Sequence, residues 1–200
     1  LAQLELITDL LDLAHLQDPD RPVEMQTMHV ADVLAQVLET LSAQAEEKGI
    51  DVQSNVTADL PALTMNAQHA RQLWTNLISN AIKYTPDGGK IKMAARVLSS
   101  VAPDQVPSVM ITVSDSGIGV SPDDQEQIFK SFYEVRELDL LSSSKTVFMG
   151  GGAGLGLPIA RGVAVAHGGT LQVESEGYDP ERCSGRTFLL VLPLGEPPKG

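Results

Sequence analysis

A chain of 200 residues with 42% hydrophobic content can bury one core and a short appended element. Its 26 acidic side chains against 14 basic ones give a formal charge of -12, which repels a nucleic-acid duplex or an anionic membrane surface on average and argues against nucleic acid as a partner, while leaving a small anion open. Cys183 is the only cysteine, so an intrachain disulfide and a cysteine-rich metal site are excluded and a reducing cytoplasm fits; with no signal peptide and no run of about 18 apolar residues, these residues read as cytoplasmic and do not themselves cross a membrane, which leaves open a parent protein that does.

The opening "LAQLELITDLLDLAHLQD" carries Leu4, Ile7, Leu11 and Ala14 on one helical stripe, Leu6, Leu10 and Leu13 on the next, and Glu5, Thr8, Asp12 and His15 on the polar side. A face this wide with no initiating cap predicts the end of a bundle helix over 1–20, broken by "DPDRP". A strand-like "VEMQTMHV" comes next, then a helix from Ala31 to Lys48 ended by Gly49, then the alternating "IDVQSNV". Asn66 is the expected N-cap of a helix from Gln68 to Tyr84, which Pro86 and the turn "PDGG" stop. "KIKMAARVL" and "SVMITVSD" read as strands, and 134–152 as a long irregular loop expected to be mobile. "LGLPIARGVAVAHGG" returns to helix before the closing strands "TLQVESE" and "RTFLLVLPL". This order is no regular alternation of strand and helix, so the expected class is α+β, with helices on one face of a mixed sheet and no internal repeats.

On the Gln68–Tyr84 helix, Leu73, Asn76, Leu77, Asn80, Ala81 and Tyr84 share one face, which stacks two asparagines one turn apart on an otherwise apolar stripe. A buried amide without a partner costs about 1–3 kcal/mol, so the pair bonds to neighbouring backbone or faces a ligand, and an asparagine oxygen is a hard ligand suited to Mg²⁺. Asp115 in "SDSGIGV" stands where a strand leaves the sheet, either as an ordinary turn or as an acceptor for an exocyclic amine, and Gly117 and Gly119 allow close approach of backbone. "GGGAGLGLPIARG" puts Gly150, Gly151, Gly152, Gly154 and Gly156 before and into a helix, where free amides and the positive helix end suit phosphate. Glu174, about 20 residues beyond Gly154, would suit a dinucleotide fold, but a long polar loop rather than a strand leads into these glycines, and no Gly-Lys-Ser/Thr ending marks a P-loop.

In this order and with these gaps the motifs resemble the catalytic and ATP-binding domain of sensor histidine kinases, in the superfamily that also holds gyrase, the heat-shock chaperone ATPases and MutL. "NLISNAIKYTP" resembles that family's N box, "DSGIGV" its G1 box, "IFKSFYEV" its F box, "GGAGLGLPIARGVAVAHGG" its G2 box and "SGRTFLLVLPL" its closing strand. The resemblance implies a two-layer α/β sandwich of Bergerat type over 23–194. It also makes 1–20 the end of the second helix of a dimerisation and phosphotransfer bundle, and 195–200 a tail. It implies ATP and Mg²⁺ as cofactors, with Asn80 on the metal and Asn76 and Lys83 on the phosphate side as the catalytic pair. Tyr84, Asp115, Gly117 and Gly119 would form the base pocket, which Thr187 would help to bound. Gly152, Gly154, Leu155, Gly156 and Leu157 would serve the lid and phosphates, with Phe129 and Phe132 anchoring the lid's near end.

The implied activity is transfer of the ATP γ-phosphoryl group to a histidine and onward to a response-regulator aspartate, with the receiver domain and the chain's own homodimeric phosphotransfer domain as partners. The family's acceptor histidine is usually followed by an acidic residue, whereas His15, His29, His69 and His167 are followed by Leu16, Val30, Ala70 and Gly168, so these residues are expected not to autophosphorylate. Arg136 and Lys145 are the candidate lid cations. A serine kinase or ATPase of the same superfamily, or a degenerate nucleotide-binding docking module, are the competing readings; asparagine at position 76 cannot serve an ATPase as general base.

Overall fold

The computed structural model describes residues 7, 10, 11, 14, 16, 24–98, 106–133 and 154–195. Gly152, His15, Arg136 and Lys145 lie outside them, as does the expected loop over 134–152. In chain order the elements are β1 (Gln26–Met28), α1 (Val30–Glu47), β2 (Asp51–Asn55), β3 (Leu63–Met65), α2 (Ala67–Tyr84), β4 (Lys90–Leu98), β5 (Ser108–Asp115), a 3₁₀ turn at Gln127–Phe129, α3 (Gly156–Ala166), β6 (Thr170–Glu174) and β7 (Arg186–Pro193). The helices begin and end within a residue or two of the boundaries that their caps and breakers predict. β3 has no counterpart in the sequence reading; its three residues pair with β1 and press Leu63 and Met65 into the core.

Five strands form one sheet in the order β2-β4-β5-β7-β6, parallel only between β2 and β4, which makes it mixed as the element order predicts. Period-two alternation turns Ile91, Met93, Val109, Ile111, Val113, Phe188, Leu190 and Leu192 to one face. Leu73, Trp74, Leu77, Ile78 and Ala81 of α2 and Ile159, Ala160 and Val163 of α3 cover that face. The opposite face carries Thr112, Ser114 and Thr187. Ile7, Leu10, Leu11, Ala14 and Leu16 are helical. Leu16 packs on the core beside Gly162 of α3, whereas Ile7 and Leu11 are more than half exposed. No helix among the described residues is long and apolar enough to cross a membrane.

Both ends of α2 are tied down, which matters because α2 carries the asparagines. At its start the Asn66 side chain accepts from His69 N–H at 3.0 Å, and Asn66 N–H donates to His167 Nε2 at 3.2 Å. His167 Nδ1 lies 2.7 Å from the Val163 carbonyl, so one tautomer, protonated on Nδ1, satisfies both bonds and joins the end of α3 to the start of α2. At the far end Lys48 Nζ donates to the carbonyls of Ile82 (2.6 Å), Lys83 (3.2 Å) and Thr85 (2.5 Å), placing a cation on the negative end of the helix. Lys48 is delivered there by a Schellman stop on α1: Gly49 takes φ +59°, with Gly49 N–H on Glu46 O and Ile50 N–H on Ala45 O, both at 2.9 Å.

Replacing the lysine by an apolar side chain of similar length, Lys48→Met, strips donors from the C-terminal carbonyls of α2 and lowers the unfolding free energy in urea by about 1–2 kcal/mol. Burial lowers the His167 pKa from its ordinary 6.5, the Val163 carbonyl opposing that only in part. The unfolded chain therefore binds the extra proton first. Stability is flat above the unfolded value and declines as pH falls below 6.5 toward the lower folded value, a slope that thermal melts should record and that His167→Gln should flatten.

Candidate functional site

Asp115 falls on the buried register of β5 because Val109, Ile111 and Val113 do, and its side chain has 0% exposure. A carboxylate held there must use its oxygens. Oδ1 accepts the Gly117 N–H at 3.0 Å, and Oδ2 accepts Arg186 Nε at 2.9 Å. Position 117 must be glycine for this turn, since a Cβ there would stand 2.4 Å from the Tyr84 carbonyl oxygen. Arg186 pairs directly opposite Asp115 in the β5–β7 register. Its Nη2 continues to α2, donating to Asn80 Oδ1 at 2.7 Å and to the Asn80 carbonyl at 3.1 Å. The guanidinium carbon lies 4.8 Å from the Tyr84 ring centre and 5.1 Å from that of Phe188. Because arginine only donates, the Asn80 amide is oriented with its oxygen toward Arg186.

One turn earlier on α2, Asn76 Nδ2 is buried without a hydrogen-bond partner among the described residues. Its Oδ1 faces Gly156, where an added Cβ would meet it at 3.4 Å. Gly156 opens α3, whose N-cap Leu155 makes no side-chain cap bond, so the first amides of that helix sit beside an unpartnered amide donor. Donors without acceptors at the positive end of a helix fit an anionic group. For a metal, no group of three or more His, Cys, Asp or Glu side chains suits one among the described residues. The single hard oxygen of Asn80 matches a cation such as Mg²⁺ that takes most of its ligands from water and phosphate.

The structure thus brings Asn80, Tyr84, Asp115 and Gly117 together at one end of α2, and Asn76 and Gly156 at the next turn. Lys83 extends to 5.1 Å from the Tyr84 ring. Gly119 presents its open side to the Gly177 carbonyl and the Ser184 and Ser175 hydroxyls, so it serves packing against the 175–184 turn. Leu155 and Leu157 are core residues at the start of α3, and Gly154, at φ +66°, accepts the Phe132 N–H at 3.2 Å. Phe129 is buried edge-on against Phe188, but Phe132 is 61% exposed with φ +62°, so the two phenylalanines do not form one anchor.

Thr187 lines one cavity with Asp115 and Arg186. Strand alternation turns it to the open face of the sheet, where its hydroxyl lies 2.9 Å from that of Ser114. The residue beside Asp115 is Arg186, which sequence reasoning missed. The signal was available in "RTFLLVLPL": if Phe188, Leu190 and Leu192 point inward, so does Arg186, and a cation on a buried register needs a partner.

Residues 65–196 match the family model described as histidine kinase-, DNA gyrase B- and HSP90-like ATPase. The chain is 34% identical over 190 residues to the sensor histidine kinase RppB of Synechocystis, covering 95% of this chain and 38% of the relative. It is 31% identical over 189 residues to the sensor-like histidine kinase SenX3 of Mycobacterium bovis, covering 94% and 41%. It therefore spans about two fifths of the length of these curated relatives. Among solved structures, full-length ShkA in complex with AMPPNP superposes with a TM-score of 0.75 at 29% identity, over 97% of this chain and 36% of that one. The nucleotide-free catalytic domain of the histidine kinase ThkA gives a TM-score of 0.64 at 23% identity, over 86% and 98%, a likeness of fold. The chain belongs to the histidine kinase-, DNA gyrase B- and HSP90-like ATPase family, and within it is a catalytic domain of the sensor histidine kinase type.

Proposed function

We propose that this domain binds ATP between α2, the end of β5 and the start of α3, and serves a protein-histidine kinase in two-component signalling. The observation that carries the reading is the polarity of one face of α2. Asn80 stands beside a buried carboxylate at one turn, and an orphaned amide donor, Asn76 Nδ2, stands beside the uncapped N-terminus of α3 at the next. An adenine amine needs an acceptor and a polyphosphate needs donors, and the face offers them in that order. Tyr84 supplies an aromatic wall, and Lys83 a cation one residue away. Asn80 Oδ1 would hold a Mg²⁺ ion, which would supply charge neutralisation at the transferring group.

In such a reaction the protein's part is placement. Asp115 fixes the base, and Asn76 and the α3 amides fix the phosphates, so that the γ-phosphoryl group meets an incoming nucleophile in line. Asn76 cannot take a proton from water, which favours transfer over hydrolysis. None of the four histidines precedes an acidic residue, so the acceptor of this reading is a histidine on a phosphotransfer bundle, from which the group passes to a receiver-domain aspartate in the cytoplasm. The N-terminal helical residues, with Ile7 and Leu11 exposed, suit the edge of that homodimeric bundle.

Calorimetric titration with a non-hydrolysable ATP analogue tests the reading. The wild-type chain should bind in a Mg²⁺-dependent manner, and Asp115→Asn should weaken binding by about 10- to 100-fold, the range of a lost charged hydrogen bond; absence of wild-type binding would remove the proposal. Asn76→Leu should abolish analogue binding while leaving the empty domain as stable or up to about 1 kcal/mol more stable, because it deletes an unsatisfied buried donor. Phosphoryl transfer itself is read by supplying the chain with a separate phosphotransfer bundle and radiolabelled ATP.

A further inference from the structure

Arg186 is the only cation among the buried residues described, and its pair with Asp115, exposed by 5% and 0%, is the only fully buried ion pair described. It is also more than an ion pair. One guanidinium spans from Asp115 Oδ2 (2.9 Å) to Asn80 Oδ1 (2.7 Å) and lies against Tyr84 and Phe188. Asp115, Asn80 and Tyr84 are the groups that the proposed function assigns to the base and the metal, and the role of Arg186 rests on that assignment. We propose that Arg186 is an internal occupant of the nucleotide site, holding Asp115 and Asn80 together in the empty domain and competing with the metal for Asn80 Oδ1.

The competition is electrostatic. A Mg²⁺ ion sits about 2.0–2.1 Å from an oxygen ligand. With the guanidinium nitrogen already 2.7 Å from the same oxygen, two cationic centres would crowd one neutral acceptor in a pocket that screens poorly. The metal and Arg186 therefore occupy Asn80 in turn. Arg186 must swing off before the metal-bound nucleotide seats, and the fraction of molecules with Asn80 free scales the apparent affinity. Releasing Asn80 need not release Asp115, because the two contacts use different nitrogens, Nη2 and Nε.

Arg186→Lys separates these contacts: an ammonium can stay beside Asp115, but it lacks the planar fork that reaches Asn80 at the same time. Analogue titrations over a Mg²⁺ series on wild type, Arg186→Lys, Arg186→Gln and Asp115→Asn provide the test, with thermal melts of each empty protein to establish folding. The expected result is that Arg186→Lys lowers the Mg²⁺ midpoint about tenfold, while its metal-free affinity stays within about twofold of wild type. A second measurement needs no variant: the Arg186 Nη2 protons, held by Asn80 in the empty chain, should become more exchangeable on addition of the Mg²⁺-bound analogue. If Asp115→Asn abolishes binding but folded Arg186→Lys and Arg186→Gln leave the midpoint unchanged or raise it, Arg186 is not a competitor and this inference fails alone. If no protein in the series binds the analogue, the nucleotide reading fails and takes this inference with it.

Discussion

A carboxylate with no exposure, held on one side by a backbone amide and on the other by an arginine, is the interaction around which the site is built. Burying either charge alone is costly. Removing one partner of such a pair typically destabilises by about 3–5 kcal/mol, against a total stability of about 5–15 kcal/mol for a domain. That cost explains the surrounding sequence. Gly117 lets the chain turn close enough for its N–H to reach Asp115, the β5–β7 register sets Arg186 opposite, and Asn80 and two aromatic rings complete the arginine's surroundings.

Such an arrangement is useful only on a rigid support, and α2 supplies it. Its N-terminus is joined through Asn66 and His167 to the end of α3, and its C-terminal carbonyls are gathered by Lys48 from the end of α1. Between these ties the apolar flanks of α2 lie in the core, which fixes the face that Asn76 and Asn80 share. Among the described residues nothing accepts from Asn76 Nδ2. A fold under selection for stability alone would replace it; a fold that must receive an anion keeps it.

Much of this was legible in the sequence, for local reasons. The period of α2 put both asparagines on one face, alternation in "SVMITVSD" put Asp115 inward, and the glycine-rich run stood before a helix. The features that stayed unread depend on which segments become neighbours. Thr187 and Arg186 differ by one residue, and only the pairing of β7 with β5 decides which of them meets Asp115. β3 is three residues long, too short for any alternation to register, and exists because β1 lies beside it. Phe132 turns outward because its N–H is held by Gly154, distant along the chain.

The face of α2 also sets its length. One residue inserted between Leu73 and Asn76 rotates the downstream half of the helix by about 100° against the core and carries both asparagines off their face, so length cannot drift within this helix.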